Sequence, residues 1–367
     1  VVREKMKQKI IDILNENKID VFGFTNIMDY NYLQQMFLNR VNLGYDNEFE
    51  EYNLEKRFKV NNIFPKCKSI IAIGMPYAEG YKKQNCRDKG ILSVISFGED
   101  YHKILNKKLK IVAEQINENF KHEYLICVDT SPLIDKEICK IAGLGYYGKN
   151  SLLINEYYGS FINLGYILTD LQIETENIII ENNQSCQDCN ICINSCPNNA
   201  ILIEGGLNTK KCISYLTQTK SYIPLNYRNN MKNQIYGCDI CQVVCPKNKE
   251  ILSKEPKHNY DNLIVDLNEM IFISKDEFAN KFGLTAGSWR GKNIWKRNAI
   301  ISIGNLKLNN MFDKIKNELN NPSEMIKIYA AWSLLQLDEK KASDILNNSI
   351  KYEKDIIAEE YKKLLEV

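Results

Sequence analysis

Long apolar runs are missing from this chain of 367 residues, and no stretch reaches the length needed to span a bilayer. The first residues, VVREKMKQKIIDILNENK, hold neither an apolar leader core nor a twin arginine. Secretion and its disulfide chemistry are therefore not expected, and the reducing cytoplasm is. Charge of one sign is also lacking. The net charge of +2 gives no global pull toward nucleic acid or membrane, so any such binding must come from a local patch. Gly143, Gly145 and Gly148 do not form a dinucleotide fingerprint, because the strand–glycine–helix order is absent around them. Histidine is scarce, with three in the chain.

Cysteine is what the chain does have. Eight of its twelve cysteines lie between Cys186 and Cys245. The first run is Cys186-x2-Cys189-x2-Cys192-x3-Cys196-Pro197, the spacing of a bacterial two-cluster ferredoxin, whose fourth cysteine ligates the other cluster. The second run, Cys238-x2-Cys241-x3-Cys245-Pro246, lacks its own first cysteine, and Cys212 can supply it. Exchanging the fourth ligands gives two sets, Cys186, Cys189, Cys192 and Cys245, and Cys196, Cys212, Cys238 and Cys241. A cubane needs four thiolates converging from different directions, and x2 gaps let one turn present three of them. Zinc ribbons also use C-x2-C pairs but need a longer gap between pairs. Two 4Fe–4S clusters imply one-electron transfer without naming the acceptor. Cys67, Cys86, Cys127 and Cys139 lack metal spacing and read as ordinary thiols.

With 26% charged and 44% hydrophobic residues, the chain has the make-up of a globular protein of two or three domains. Val2, Met6, Ile10, Ile13 and Leu14 share one face of a first helix, and IDVFGFTNI follows as a short strand. YNYLQQMFLNRVNLGY looks helical, and Lys68–Tyr77 reads as a core strand. Arg57 stands in a charged loop, either as a solvated charge or as a clamp for an anionic or amide-rich cofactor edge. Residues 100–120 form an amphipathic helix that Asp100 can cap. Asp100-x-His102 begins like a cobalamin DxHxxG motif, but position 105 is Leu and the motif is not met. YLICVDTSPL is a strand ending at Asp129, a place that suits either a catalytic carboxylate or an Asx-turn. Leu152–Ile154 and Phe161–Leu168 look like an antiparallel pair around the Tyr158-Gly159 turn. The first half is thus α+β.

From Trp289 on, the chain reads as helical and repetitive. AIISIGNL at 299–306 matches AAWSLLQL at 330–337, about 31 residues on, and Asp313, Ile315 and Leu319 match Asp344, Leu346 and Ile350. Helix pairs of this period stack as a HEAT-type solenoid. The entry GSWRGKNIWKRNAI carries Arg290, Lys292, Lys296 and Arg297 between two tryptophans, either a nucleic-acid contact or a solvated helix start with core tryptophans.

The ordered combination of the cysteine block with CISYLTQTK, YGCDICQVVCPKN, VDT, AGLGYYGKN, DYH and GSWRGKN resembles the epoxyqueuosine reductase family across essentially the whole chain. The resemblance implies a nitroreductase-like cobalamin-binding domain at 1–175, a ferredoxin-like two-cluster domain at 176–285 and HEAT-like helical repeats that bind tRNA at 286–367. It implies reduction of the epoxide of epoxyqueuosine on a tRNA wobble base to an alkene, taking two electrons and two protons. The clusters would feed a cobalamin that has no protein axial ligand. Asp129 would be the general acid, useful if burial against the corrin and substrate raises its pKa so that it holds a proton near neutral pH. Tyr101 and His102 would lie near the substrate. Arg57, Ser93, Asp129, Leu153, Leu164, Ser214 and Asp239 would contact cobalamin. Arg290, Lys292, Lys296 and Arg297 would hold tRNA phosphates. A flavodoxin or ferredoxin would donate electrons to a monomeric enzyme. Two other readings are a corrinoid reductive dehalogenase and a ferredoxin-like electron carrier. Dehalogenases usually carry a twin-arginine leader and lack helical repeats, and a carrier needs no large domain ahead of its clusters.

Overall fold

The computed structural model describes residues 2–82, 86–175 and 186–366. They form two compact units with interleaved chain segments, one of residues 1–81, 99–210 and 240–257, the other of residues 82–98, 211–239 and 258–367. The boundary expected at 176 lies outside the described residues, and the one at 286 falls inside the second unit.

The first unit is built on a four-stranded antiparallel sheet, in the order Val21–Thr25, Ser69–Pro76, Ile162–Thr169 and Tyr124–Cys127. Successive residues of a strand face opposite ways, and here both faces are covered. Ile71, Ile73 and Ile167 pack against the helices Val2–Glu16 and Tyr101–Asn119, through Ile10, Ile13, Leu14, Leu105, Leu109 and Val112. Ile70, Ala72, Tyr166 and Leu168 face the other layer, with Phe37, Phe58 and Ile138. Burial on two sides explains why these strands read as continuous apolar runs. Each fully buried isoleucine contributes about 1.5–3 kcal/mol.

The long helix approaches the sheet closely because Gly165 has no side chain. A Cβ there would lie 3.0 Å from Leu105 Cδ2 and from Leu109 Cδ1, and 3.2 Å from Val128 Cγ2. One expected pairing is corrected. Leu153–Ile154 pairs with Tyr146–Tyr147, while Ile162–Thr169 pairs with Ser69–Pro76 and Tyr124–Cys127. Ile162–Thr169 is a central strand, so both its edges are taken by other strands. Only the turn itself closes locally, through the Asn155–Gly159 bridge.

In the second unit, the short strands Gly90–Leu92, Gln234–Tyr236 and Ile264–Val265 form a three-stranded sheet with Gly90–Leu92 in the middle. The helices Lys292–Asn305, Glu324–Leu337, Glu339–Ile350 and Asp355–Leu365 follow. The matched segments 299–306 and 330–337 fall on the first two of these helices. Ile315 and Leu346, matched at the same offset, are both fully buried. Trp295 is a core residue packed against Phe278, Phe282 and Tyr236. No helix among the described residues is long and apolar enough to cross a membrane.

Candidate active site

Asp129 stands just past the Tyr124–Cys127 strand, in the left-handed region at φ +54. Thr130 N–H turns back to donate to Val128 O at 2.5 Å, which swings the Asp129 side chain outward. The carboxylate meets the start of the Tyr101–Asn119 helix. Tyr101 Oη donates to Asp129 Oδ2 at 2.9 Å, and His102 Nε2 lies 3.1 Å from the same oxygen. The two rings stack with centroids 4.0 Å apart. Asp100 caps this helix as expected, accepting from His102 N–H at 3.0 Å. It also holds the ring, with Oδ1 2.6 Å from His102 Nδ1, a second role that capping alone did not indicate. His102 therefore bridges two carboxylates.

The electrostatics follow from this bridge. Burial alone would lower the His102 pKa, but hydrogen bonds to Asp129 and Asp100 and the charge of both carboxylates outweigh it and raise it. The hydrogen bond from His102 holds Asp129 below the usual carboxylate value against the effect of burial, with a further hydrogen bond from Tyr101. A facing imidazole dominates, and the two shifts favour a carboxylate at Asp129 beside a protonated His102.

Two neighbours in the same unit carried no sequence signal. Burial pushes Asp135 up to about 7, against a hydrogen bond from Tyr166 Oη at 2.7 Å. Tyr166 Oη is 2.9 Å from Ser131 Oγ in turn. Burial lowers Lys136, whose Nζ donates to Ser151 O at 2.7 Å. Both begin the helix Asp135–Ile141, one turn beyond Asp129.

Of the residues expected to contact cobalamin, Arg57, Asp129, Leu153 and Leu164 belong to the first unit. Arg57 lies over the Phe37 ring at 4.6 Å and pairs with Glu50 at 3.3 Å. Its Nε is buried with no partner, so it is not the solvated charge of the simpler reading. Leu153 is buried and Leu164 half-buried. Ser93, Ser214 and Asp239 belong to the second unit. There Ser93 Oγ donates to Asp239 Oδ1 at 2.5 Å and Val94 N–H to Asp239 Oδ2 at 2.8 Å. Gly237 makes room for this pair, since a Cβ on it would lie 2.4 Å from Ser93 Cβ. Ser214 O accepts from Thr217 Oγ1 at 2.8 Å and Gln218 Nε2 at 2.9 Å.

No disulfide joins any of the twelve cysteines. Cys186, Cys189, Cys192 and Cys245 lie in the first unit, close enough for their charges to act on one another. Burial raises the Cys192 thiol first, and then Cys245, Cys186 and Cys189 add to it. Cys245 is likewise raised by burial and then by Cys186 and Cys189, while backbone N–H groups of Lys247 and Asn248 oppose the rise. A set of soft donors that repel one another as thiolates suits a polycation such as an iron–sulfur cubane. Cys196 and Cys241 share this unit, and Cys196 Sγ accepts from Ala200 N–H at 3.3 Å. Cys212 and Cys238 belong to the second unit, Cys212 at the cap of the short helix Ile213–Leu216.

The basic entry to the repeats is mostly engaged within the second unit. Arg297 is fully buried and donates to Thr219 O at 2.6 Å and Leu216 O at 2.8 Å. Its expected phosphate contact is corrected to a structural anchor. Lys296 pairs with Glu318 at 2.7 Å, and Lys292 Nζ donates to Ile273 O at 3.1 Å. Arg290 lies over Trp289 at 4.5 Å, and this tryptophan is 57% exposed.

Comparison with known proteins bears on each segment. Residues 185–248 match the family described as "4Fe-4S double cluster binding domain", and residues 57–130 match "Epoxyqueuosine reductase QueG, DUF1730". An epoxyqueuosine reductase of Lactococcus garvieae is 37% identical over 347 residues, spanning 92% of this chain and 97% of that protein. One from Bacillus subtilis is 33% identical over 362 residues, spanning 96% and 92%. A crystal structure of epoxyqueuosine reductase with an epoxyqueuosine-modified tRNA stem loop superposes with a TM-score of 0.91 at 31% identity, covering 100% of both chains. A Bacillus subtilis structure whose catalytic aspartate loop is swung out of the active site gives 0.89 at 31% identity, covering 99% of each. The likeness is carried by the Asp129 segment and the cysteine block together and runs the length of the protein, so the chain belongs to the epoxyqueuosine reductase family.

Proposed function

We propose that this chain reduces epoxyqueuosine to queuosine in tRNA, with electrons passing through two 4Fe–4S clusters to a corrin held beside Asp129. The observation that carries the chemistry is the array in which His102 bridges Asp100 and Asp129 while Tyr101 donates to the same Asp129 oxygen. The net reaction adds two electrons and two protons to the epoxide, leaves an alkene and releases the oxygen as water. A bound corrin would supply reduced cobalt as nucleophile and electron source.

The protein's part is proton delivery and positioning. An alkoxide leaving an opened epoxide is too basic to depart without an acid. The raised His102 pKa favours a proton on the imidazole, steadied by Asp100. Asp129 is the outermost member of the array, its side chain 61% exposed against 27% for His102, which supports its being the member that would meet substrate. Asp129 would take the proton from His102 as oxygen charge develops against it, and His102 would be the store behind it. Arg57, with its buried open Nε, and the apolar Leu153 and Leu164 would hold the corrin in the first unit. Ser93, Ser214 and Asp239 are assigned to the same cofactor on the family resemblance.

The nitroreductase-like, ferredoxin-like and HEAT-like divisions at 1–175, 176–285 and 286–367 are part of the same reading, supported by the covered antiparallel sheet, the cysteine block and the 31-residue helical repeat. So are a cytoplasmic setting, a monomeric state and a flavodoxin or ferredoxin donor. Anaerobic reconstitution with iron, sulfide and cobalamin, followed by nucleoside analysis of an epoxyqueuosine-bearing tRNA, tests it. Conversion to queuosine is expected. An unchanged epoxide with both clusters and corrin loaded would overturn the reading.

A further inference from the structure

The second cysteine run continues past Pro246 into Lys247 and Asn248, and Asn248 is fully buried. Its carboxamide is used on every side. Oδ1 accepts from Ser160 N–H at 2.7 Å, and Nδ2 donates to Gln242 O at 2.7 Å and to Ser160 Oγ at 2.9 Å. Ser160 Oγ donates onward to Gln242 Oε1 at 3.0 Å. The ligand loop closes on the same groups. Cys245 N–H donates to Gln242 O at 3.1 Å and Asn248 N–H lies 3.0 Å from Cys245 O.

There is no slack at this junction. A Cβ on Gly159 would lie 1.9 Å from Asn248 Oδ1 and 2.8 Å from Lys247 O, and Gly159 has φ +57. The carboxamide fills the space that a side chain at 159 would need. The turn it grips, Tyr158–Ser160, lies between the strands Leu153–Ile154 and Ile162–Thr169, which carry Leu153 and Leu164. Asn248 thus ties the Cys245 loop to the turn between those strands.

We propose that Asn248 is the positioning residue of the cluster ligated through Cys245, fixing that ligand loop against the Tyr158–Ser160 turn. It thereby sets the potential of that cluster and its delivery of electrons. The inference deepens the proposed function and rests on it. The physical route is that cluster potential depends on how the ligand sulfurs are placed, hydrogen-bonded and shielded from solvent, and groups outside the ligand set fix that placement.

The test is a redox titration of the reconstituted full chain followed by electron paramagnetic resonance. Asn248→Ala is expected to shift the midpoint and g-values of one cluster while the other keeps its own, and to slow corrin reduction by about tenfold or more. Gly159→Ala displaces the same carboxamide while leaving its hydrogen-bonding groups intact, and is expected to shift the same signal even where Asn248→Ala folds poorly. Ser69→Ala removes a buried hydrogen bond to Ile173 N–H far along the chain from the cysteines, and should leave both signals unchanged. Wild-type midpoints and g-values for both clusters in both Asn248→Ala and Gly159→Ala would overturn the proposal, as would an equal shift in Ser69→Ala. Failure of the wild-type protein to bind corrin would sink the functional reading instead, and the cluster titration would still decide the role of Asn248.

Discussion

At the residue scale, the behaviour of Asp129 is set by what faces it. A carboxylate at the end of a strand was legible in VDT, and DYH pointed to Tyr101 and His102. The sign of the shift was not legible, because it depends on His102 Nε2 reaching within 3.1 Å of Asp129 across 27 residues of chain. Asp129→Asn should lower kcat by about 10²–10⁴ with corrin and clusters retained, as read by single turnover on a tRNA stem loop. The pH dependence follows from the two shifts. The raised His102 value means that its share of the pair is complete below the ordinary value of 6.5 and is lost as pH rises through the folded value. The lowered Asp129 value means that its share is present above the ordinary 3.8 and is lost as pH falls through the folded value. Activity that draws on the His102 proton should therefore fall on the alkaline side. Asp100→Asn, which removes one of the two carboxylates holding the imidazolium, should move that alkaline limb to lower pH. A limb that stays in place would remove Asp100 from proton delivery.

At the element scale, two contacts decide how helices are placed. Gly165 lets the Tyr101–Asn119 helix lie close on the central strand, and this helix carries Tyr101 and His102 to Asp129. Gly165→Val should cost about 1–3 kcal/mol by overpacking against Leu105 and Leu109, seen as a lower urea midpoint, and should weaken activity by shifting the array. Arg297 locks the first repeat helix to Leu216 and Thr219. Arg297→Leu leaves those carbonyls buried without donors and should cost about 3 kcal/mol or more. The salt dependence of tRNA binding by the folded fraction should stay as in the wild type, because a guanidinium with no exposure contacts no phosphate. The sequence marked both Gly165 and Arg297 only as members of a strand and a basic stretch. Their roles come from residues far away in the chain.

At the scale of the whole molecule, iron content is the plainest check on the ligand sets. Cys245→Ser and Cys212→Ser should each leave about half of the wild-type iron, since each removes one thiolate from a different set of four. Loss of all iron in both variants would mean that the sets do not load independently. What the sequence by itself determined is whatever local order suffices for: the eight-cysteine spacing, the cap at Asp100, the apolar strands and the 31-residue repeat. These survive as patterns because turns, caps and amphipathic faces are made by residues near one another in the chain. Tertiary structure alone decided the partner of the Leu153–Ile154 strand, the inward turn of Arg297, the grip of Asn248 on Ser160 and the facing of His102 to Asp129. Leu153–Ile154 turns to nearby Tyr146–Tyr147 because other strands take both edges of Ile162–Thr169. The last three are contacts between distant segments, whose energy depends on burial and on facing charges that exist only once the chain has folded.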